Sequence, residues 1–136
     1  MKIERTDMFC AAHRIPGQGG KCEHLHGHNY QVTIEIECNT LNNLDMIIDY
    51  NILKDIVKRF DHITIVDSKD ITLETFCLNN EQPYFLLDLG KSTAENIAKC
   101  IGLDVQDELH NIIVDKQITV TVSETPKTKA TWRNFK

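Results

Sequence analysis

The sequence predicts an α+β fold, a four-stranded antiparallel sheet with two helices on one face, in the order ββααββ. Three observations carry this. Residues 30–38 alternate apolar and polar without a break, residues 117–123 do the same, and two stretches of helical period lie between them.

The first strand ends at residues 8–13, ahead of the turn-forming run PGQGG. In the second, Tyr30, Val32, Ile34, Ile36 and Cys38 share one face, and Gln31, Thr33, Glu35 and Glu37 the other. The first helix follows Asp49, a residue suited to the N-cap, with Tyr50, Leu53, Ile56, Val57 and Phe60 on one stripe. Residues 66–91 show no sustained period. TLETF and PYFLLDL within them read as short strands or turns, in a functional loop or an insertion. The second helix carries Ala94, Ile97, Ala98, Ile101, Val105 and Leu109. Ser92 and Glu95 are spaced as a capping box at its start, and Gly102 weakens its middle. Ile118, Val120 and Val122 form the apolar face of the third strand, and residues 130–135, with Trp132, form the last. Such a sheet leaves two edges, which pairing between subunits would protect.

The 136 residues, 41% hydrophobic and 26% charged, suit one domain spanning residues 1–136. No apolar run approaches the ~20 residues that cross a bilayer. The opening MKIERTDMF lacks the apolar stretch of a secretory signal, so the expected location is the cytoplasm with no membrane contact. Five cysteines at irregular spacing make a poor disulfide framework and read as reduced thiols. A net charge of −5 and a pI near 5.6 exclude a general nucleic-acid binder.

The chemistry concentrates in CEHLHGHNY, residues 22–30. His26 and His28 are two apart on an extended strand, so both imidazoles point to one face, and Gly27 between them permits close backbone approach. His13 ends the first strand and lies opposite that pair if the two strands run antiparallel. Three histidines with a fourth position open form a catalytic zinc arrangement. Cys22 admits three roles that spacing does not separate: a fourth ligand closing a structural site, a reactive thiolate beside the metal, or an inert small side chain. Asp61 and His62 follow the first helix. The histidine is accounted for by the helix C-terminal dipole, or else the two form a proton-transfer pair. Glu124 continues the apolar parity of Ile118, Val120 and Val122, so a carboxylate ends a buried face. It either reaches water or meets a ligand with paired N–H donors. Glu95 reads best as a cap, and His24 and His110 as exposed.

Taken together, FCAAHRIPG, CEHLHGHNY, MIIDYNILK, FDH, STAENIA and SETPKTKATW resemble, in order and over most of the chain, the 6-pyruvoyltetrahydropterin synthase and 6-carboxytetrahydropterin synthase family. The resemblance implies a tunnelling fold (T-fold), in which three subunits close a twelve-stranded barrel and two trimers stack into a hexamer. It implies Zn2+ on His13, His26 and His28, with Cys22 as a catalytic cysteine outside the ligand set. It implies that Asp61 and His62 complete a proton relay from a neighbouring subunit, that Glu124 anchors the pterin, and that Thr93 and Glu95 line its pocket. The chain departs from the family pattern at residues 63–66, at Ser92 where proline is common, and in the length of residues 67–91. Only three residues separate Cys22 from His26, which resembles the 6-carboxytetrahydropterin synthases of 7-deazaguanine (queuosine precursor) biosynthesis. The implied substrate is 7,8-dihydroneopterin triphosphate, with Arg14 and Lys21 placed to meet phosphates. The alternatives are the pyruvoyl-forming enzyme of the biopterin pathway and a non-enzymatic zinc module.

Overall fold

The computed structural model describes residues 1–110 and 115–134. Its strands are β1 (Lys2–His13), β2 (His26–Cys38), β3 (Ile63–Asp67), β4 (Tyr84–Leu87), β5 (Lys116–Thr125) and β6 (Thr128–Arg133). Its α-helices are α1 (Tyr50–Lys58), α2 (Ile71–Asn79) and α3 (Ala94–Glu108). They build one six-stranded mixed sheet in the order β4-β3-β1-β2-β5-β6. The expected four strands are its antiparallel part, β1-β2-β5-β6. The expected extension of the last strand to Phe135 lies outside the described residues.

The expectation of four strands and two helices is therefore corrected. Residues 63–87 add β3, α2 and β4, with β3 parallel to both β1 and β4. Their periods were hidden because both faces of β3 are covered. Ile65 joins the main core under α1 and α3, while its neighbour Val66 packs with Leu73 and Cys77 of α2. A strand buried on both sides shows an apolar run without alternation. TLETF, expected as strand or turn, lies in α2. That helix buries Leu73 and Cys77 but also carries exposed Ile71, Phe76 and Leu78, so no polar stripe marks it. PYFLLDL does contain a strand, β4.

On the other face, α1 and α3 cover the antiparallel strands. Asp49 caps α1 as expected, accepting from the Asn51 backbone N–H at 2.8 Å. The cap of α3 falls one residue later than expected. Thr93, not Ser92, accepts from the Asn96 N–H, because the Ser92 hydroxyl is turned to the carbonyl of Arg14. Gly102 does not break α3. A Cβ at that position would stand 2.1 Å from Cε3 of Trp132, so the glycine is what lets the β6 indole lie against the helix.

Candidate metal centre and cleft

Strand register assembles the centre. His13 is the direct partner of His26 across β1 and β2, and Ala11 is the partner of His28. All three rings occupy the helix-facing side at one end of the sheet, and their ligand nitrogens lie within 4.8 Å of one another. Ring centroids are 4.6 Å apart for His13 and His26, and 4.8 Å for His26 and His28.

Backbone carbonyls fix two tautomers. His13 donates from Nδ1 to Ser92 O at 2.6 Å, and His26 donates from Nδ1 to His24 O at 2.6 Å. Each Nε2 is left with its lone pair directed inward. His13 is fully buried, and its Nε2 has no hydrogen-bond partner. Burial pushes its pKa down to about 4, with His26 and His28 lowering it further against the opposing bond from Ser92. Burial lowers His28 as well. Three converging imidazole nitrogens are a metal-ligand set, with His26 Nε2 and His28 Nε2 3.1 Å apart, and the orphaned buried nitrogen of His13 is costly unless something fills the space. The three residues therefore fit the zinc ion that the family resemblance implies.

Glu124 faces the same chamber. Its carboxylate oxygens lie 3.8 Å from His13 Nε2 and 3.9 Å from His28 Nε2. His28 and Glu124 also line a cavity of about 660 Å³ with Asn29, Gln31, Ser123 and Lys129. Tyr30, the next inward residue of this face, is wholly buried with its hydroxyl unpartnered. Burial raises its pKa, and the acidic groups of Glu124 and Cys22 raise it further, so it stays a phenol.

Cys22 sits half-buried on a single 3-10 turn, Lys21–Glu23, and its thiol is not part of the three-nitrogen cluster. All five cysteines are free thiols. Asp61 and His62 form a pair at 3.0 Å, at the start of β3. Asp61 accepts from the Cys10 N–H at 2.9 Å, which holds its pKa below the usual carboxylate range, with His62 adding to this. His62 donates its backbone N–H to Cys10 O at 2.7 Å and has a left-handed φ of 59°. α1 ends at Lys58 with Arg59 as its C-cap, so His62 follows three residues beyond the cap. Its ring is largely exposed, above a surface cleft shared with Cys10, Asn29 and His28.

Thr93 is the N-cap of α3 and Glu95 lies in its first turn, directly after the Ser92 carbonyl that holds His13, with Glu95 exposed. His24 and His110 are exposed, as expected. Arg14 is committed elsewhere than a phosphate, donating to Asp70 from Nε at 2.7 Å and from a terminal nitrogen at 2.6 Å. The role of Ser92, expected as a helix cap, and that of Asp70 escaped the sequence reading. One works through its carbonyl, which leaves no side-chain signature. The other lies in the aperiodic stretch.

Comparison with known proteins identifies the family of the chain and its fold. The model of the family described as 6-pyruvoyl tetrahydropterin synthase matches residues 2–134. A curated protein of Rickettsia felis named 6-carboxy-5,6,7,8-tetrahydropterin synthase is 36% identical over 105 residues, 72% of this chain and 75% of its own. Its namesake in Rickettsia bellii is 31% identical over 137 residues, 93% and 95% of the two chains. The crystal structure of 6-pyruvoyl tetrahydropterin synthase from Plasmodium vivax superposes with a TM-score of 0.69 at 26% identity, covering 98% of each chain. With the motifs, the fold and the sequence match in agreement along nearly the whole chain, the protein belongs to the 6-pyruvoyl tetrahydropterin synthase family of enzymes.

Proposed function

We infer that this pterin synthase is a zinc-dependent 6-carboxy-5,6,7,8-tetrahydropterin synthase of 7-deazaguanine biosynthesis. The reaction converts 7,8-dihydroneopterin triphosphate and water to 6-carboxytetrahydropterin, acetaldehyde and triphosphate. The observation that carries this reading is the orphaned Nε2 of buried His13, converging with His26 and His28 on a chamber that Glu124 also faces. The names of the Rickettsia relatives and the short gap between Cys22 and His26 favour the carboxy-forming reaction.

Zinc held by the three histidines would supply Lewis acidity toward the side-chain hydroxyls of the substrate. Glu124 accepts the amino group and ring N–H of the pterin, which sets the side chain over the histidines. Cys22 carries a proton at Sγ. His62 carries a second at its ring nitrogen, oriented by Asp61. Thr93 and Glu95 border the pterin. The pair Asp61–His62 serves the site of a neighbouring copy. Supporting this, most of the outer edge of β1 and the outer edge of β6 have no strand partner among the described residues, so β1 of one copy and β6 of the next can close a barrel. The reducing cytoplasm suits five free thiols.

The experiment is incubation with 7,8-dihydroneopterin triphosphate and mass spectrometry of the products. 6-Carboxytetrahydropterin with acetaldehyde is expected. A 6-pyruvoyl product would replace this reading with the pyruvoyl-forming one, and an unaltered substrate would leave only a zinc module.

A further inference from the structure

The β3–α2–β4 excursion grips the loop that carries Cys22. Asp70, at the N-cap of α2, takes two charge-assisted bonds from Arg14, at 2.7 and 2.6 Å, while also accepting from the Leu73 N–H at 3.2 Å. Just beyond β4, Ser92 donates its hydroxyl to Arg14 O at 3.2 Å, and Lys91 donates to Pro16 O at 2.7 Å. The loop then ties its two ends together. Ile15 N–H donates to Cys22 O at 2.8 Å, and Gly17 N–H donates to the Glu23 carboxylate at 3.3 Å. A short, stiff path runs from Asp70 through Arg14 and Ile15 to the Cys22 backbone.

The ion pair is not explained by stability alone. The Asp70 side chain is 6% exposed, and a charge taken that far out of water regains little net energy from its partner. What a fork of two bonds on a planar guanidinium does supply is a fixed geometry.

We propose that Asp70 and Arg14 are positioning residues of the reaction: the β3–α2–β4 segment holds the Cys22 turn, and with it the thiol, at working distance from the three histidines. This rests on Cys22 being the proton carrier. A displacement of about 1 Å at a reacting group costs up to roughly a hundredfold in rate. Such a role predicts a loss in kcat with little change in KM.

The test is Asp70→Asn, which keeps a side chain able to cap α2 but removes the charge that Arg14 grips. Two readouts are taken on folded, zinc-loaded protein: kcat with KM, and the rate of Cys22 alkylation by iodoacetamide, resolved by peptide mass. The expected result is a kcat lower by about tenfold to a hundredfold, an unchanged KM, and a severalfold faster alkylation as the turn loosens. Asp70→Glu should restore part of both. Wild-type alkylation together with wild-type kcat overturns the proposal, as does a lower unfolding temperature with neither readout moved. If Asp70→Asn does not fold, Arg14→Lys applies the same two readouts with the α2 cap intact. The alkylation rate is read without substrate. A wild-type protein that fails to turn over dihydroneopterin triphosphate therefore overturns the assigned reaction but leaves the latch itself tested.

Discussion

His13 donates its Nδ1 proton to the carbonyl of Ser92 at 2.6 Å, and its other nitrogen is buried without a hydrogen-bond partner. One bond thus selects the tautomer and aims the lone pair. Removing any one of the three imidazoles leaves two ligands, too few for tight zinc. His26→Ala and His28→Ala should each lose most of about one zinc per chain, as measured by elemental analysis of purified protein. Full occupancy in both variants would remove the site.

Gly102→Ala sets two effects against each other. Helix propensity favours alanine by about 1 kcal/mol. The added Cβ, however, would overlap the Trp132 ring at 2.1 Å, far inside contact distance. Overpacking of this kind costs roughly 1–3 kcal/mol and should win, so denaturant unfolding should show a net loss. A more stable variant would mean that the indole moves aside freely.

The same glycine shows what was legible in the sequence. Its presence in α3 was visible, but its reason lies in β6, some thirty residues on, where no local pattern points back. The antiparallel strands were legible because each buries one face and wets the other, which is why Tyr30 to Cys38 alternates and why His26 and His28 could be placed on one side. His13 could be set opposite them only on the condition that the two strands pair antiparallel, which the register of His13 with His26 meets. Val66 and Leu73 could not be read in this way, because β3 is covered on both faces and α2 has no polar stripe. Glu124 was found by parity. Ser92 was not, since a carbonyl ligand to His13 could come from any residue.

His13 also makes the metal-free protein sensitive to acid. Its folded pKa, about 4, lies below the ordinary 6.5 of an unfolded chain. Between those values the unfolded chain binds a proton that the folded one refuses, so stability falls as pH drops from about 6.5 and levels off below about 4. The effect is on the order of 3 kcal/mol from this residue, and His28 acts in the same direction. Unfolding of chelator-treated protein at a series of pH values should show that slope. In His13→Asn it should flatten, and an unchanged slope would assign it to other groups.

Assembly follows from the open edges. Exposed strand edges recruit other strands, and here β6 and the length of β1 that β3 leaves unpaired offer them within the same sheet. Native mass spectrometry should find trimers or hexamers. An active monomer would rule out both the closed barrel and a relay shared between copies.

Cys22 separates a structural zinc site from a working one. As a fourth ligand, its loss would weaken zinc binding and lower stability together, because metal affinity then contributes to folding. As a proton carrier, its loss would leave zinc and fold in place while turnover falls by roughly 10²–10⁴. The geometry favours the second outcome. The three nitrogens cluster without the thiol, which sits on its own short turn, half-buried and tied through its carbonyl to Ile15. A structural ligand would be expected inside the cluster and held as firmly as His13. Zinc content, unfolding temperature and kcat should be measured on one Cys22→Ala preparation. Full zinc, an intact fold and a collapsed kcat is the expected combination. Loss of zinc with the fold would make the site structural, and normal turnover would make Cys22 a bystander.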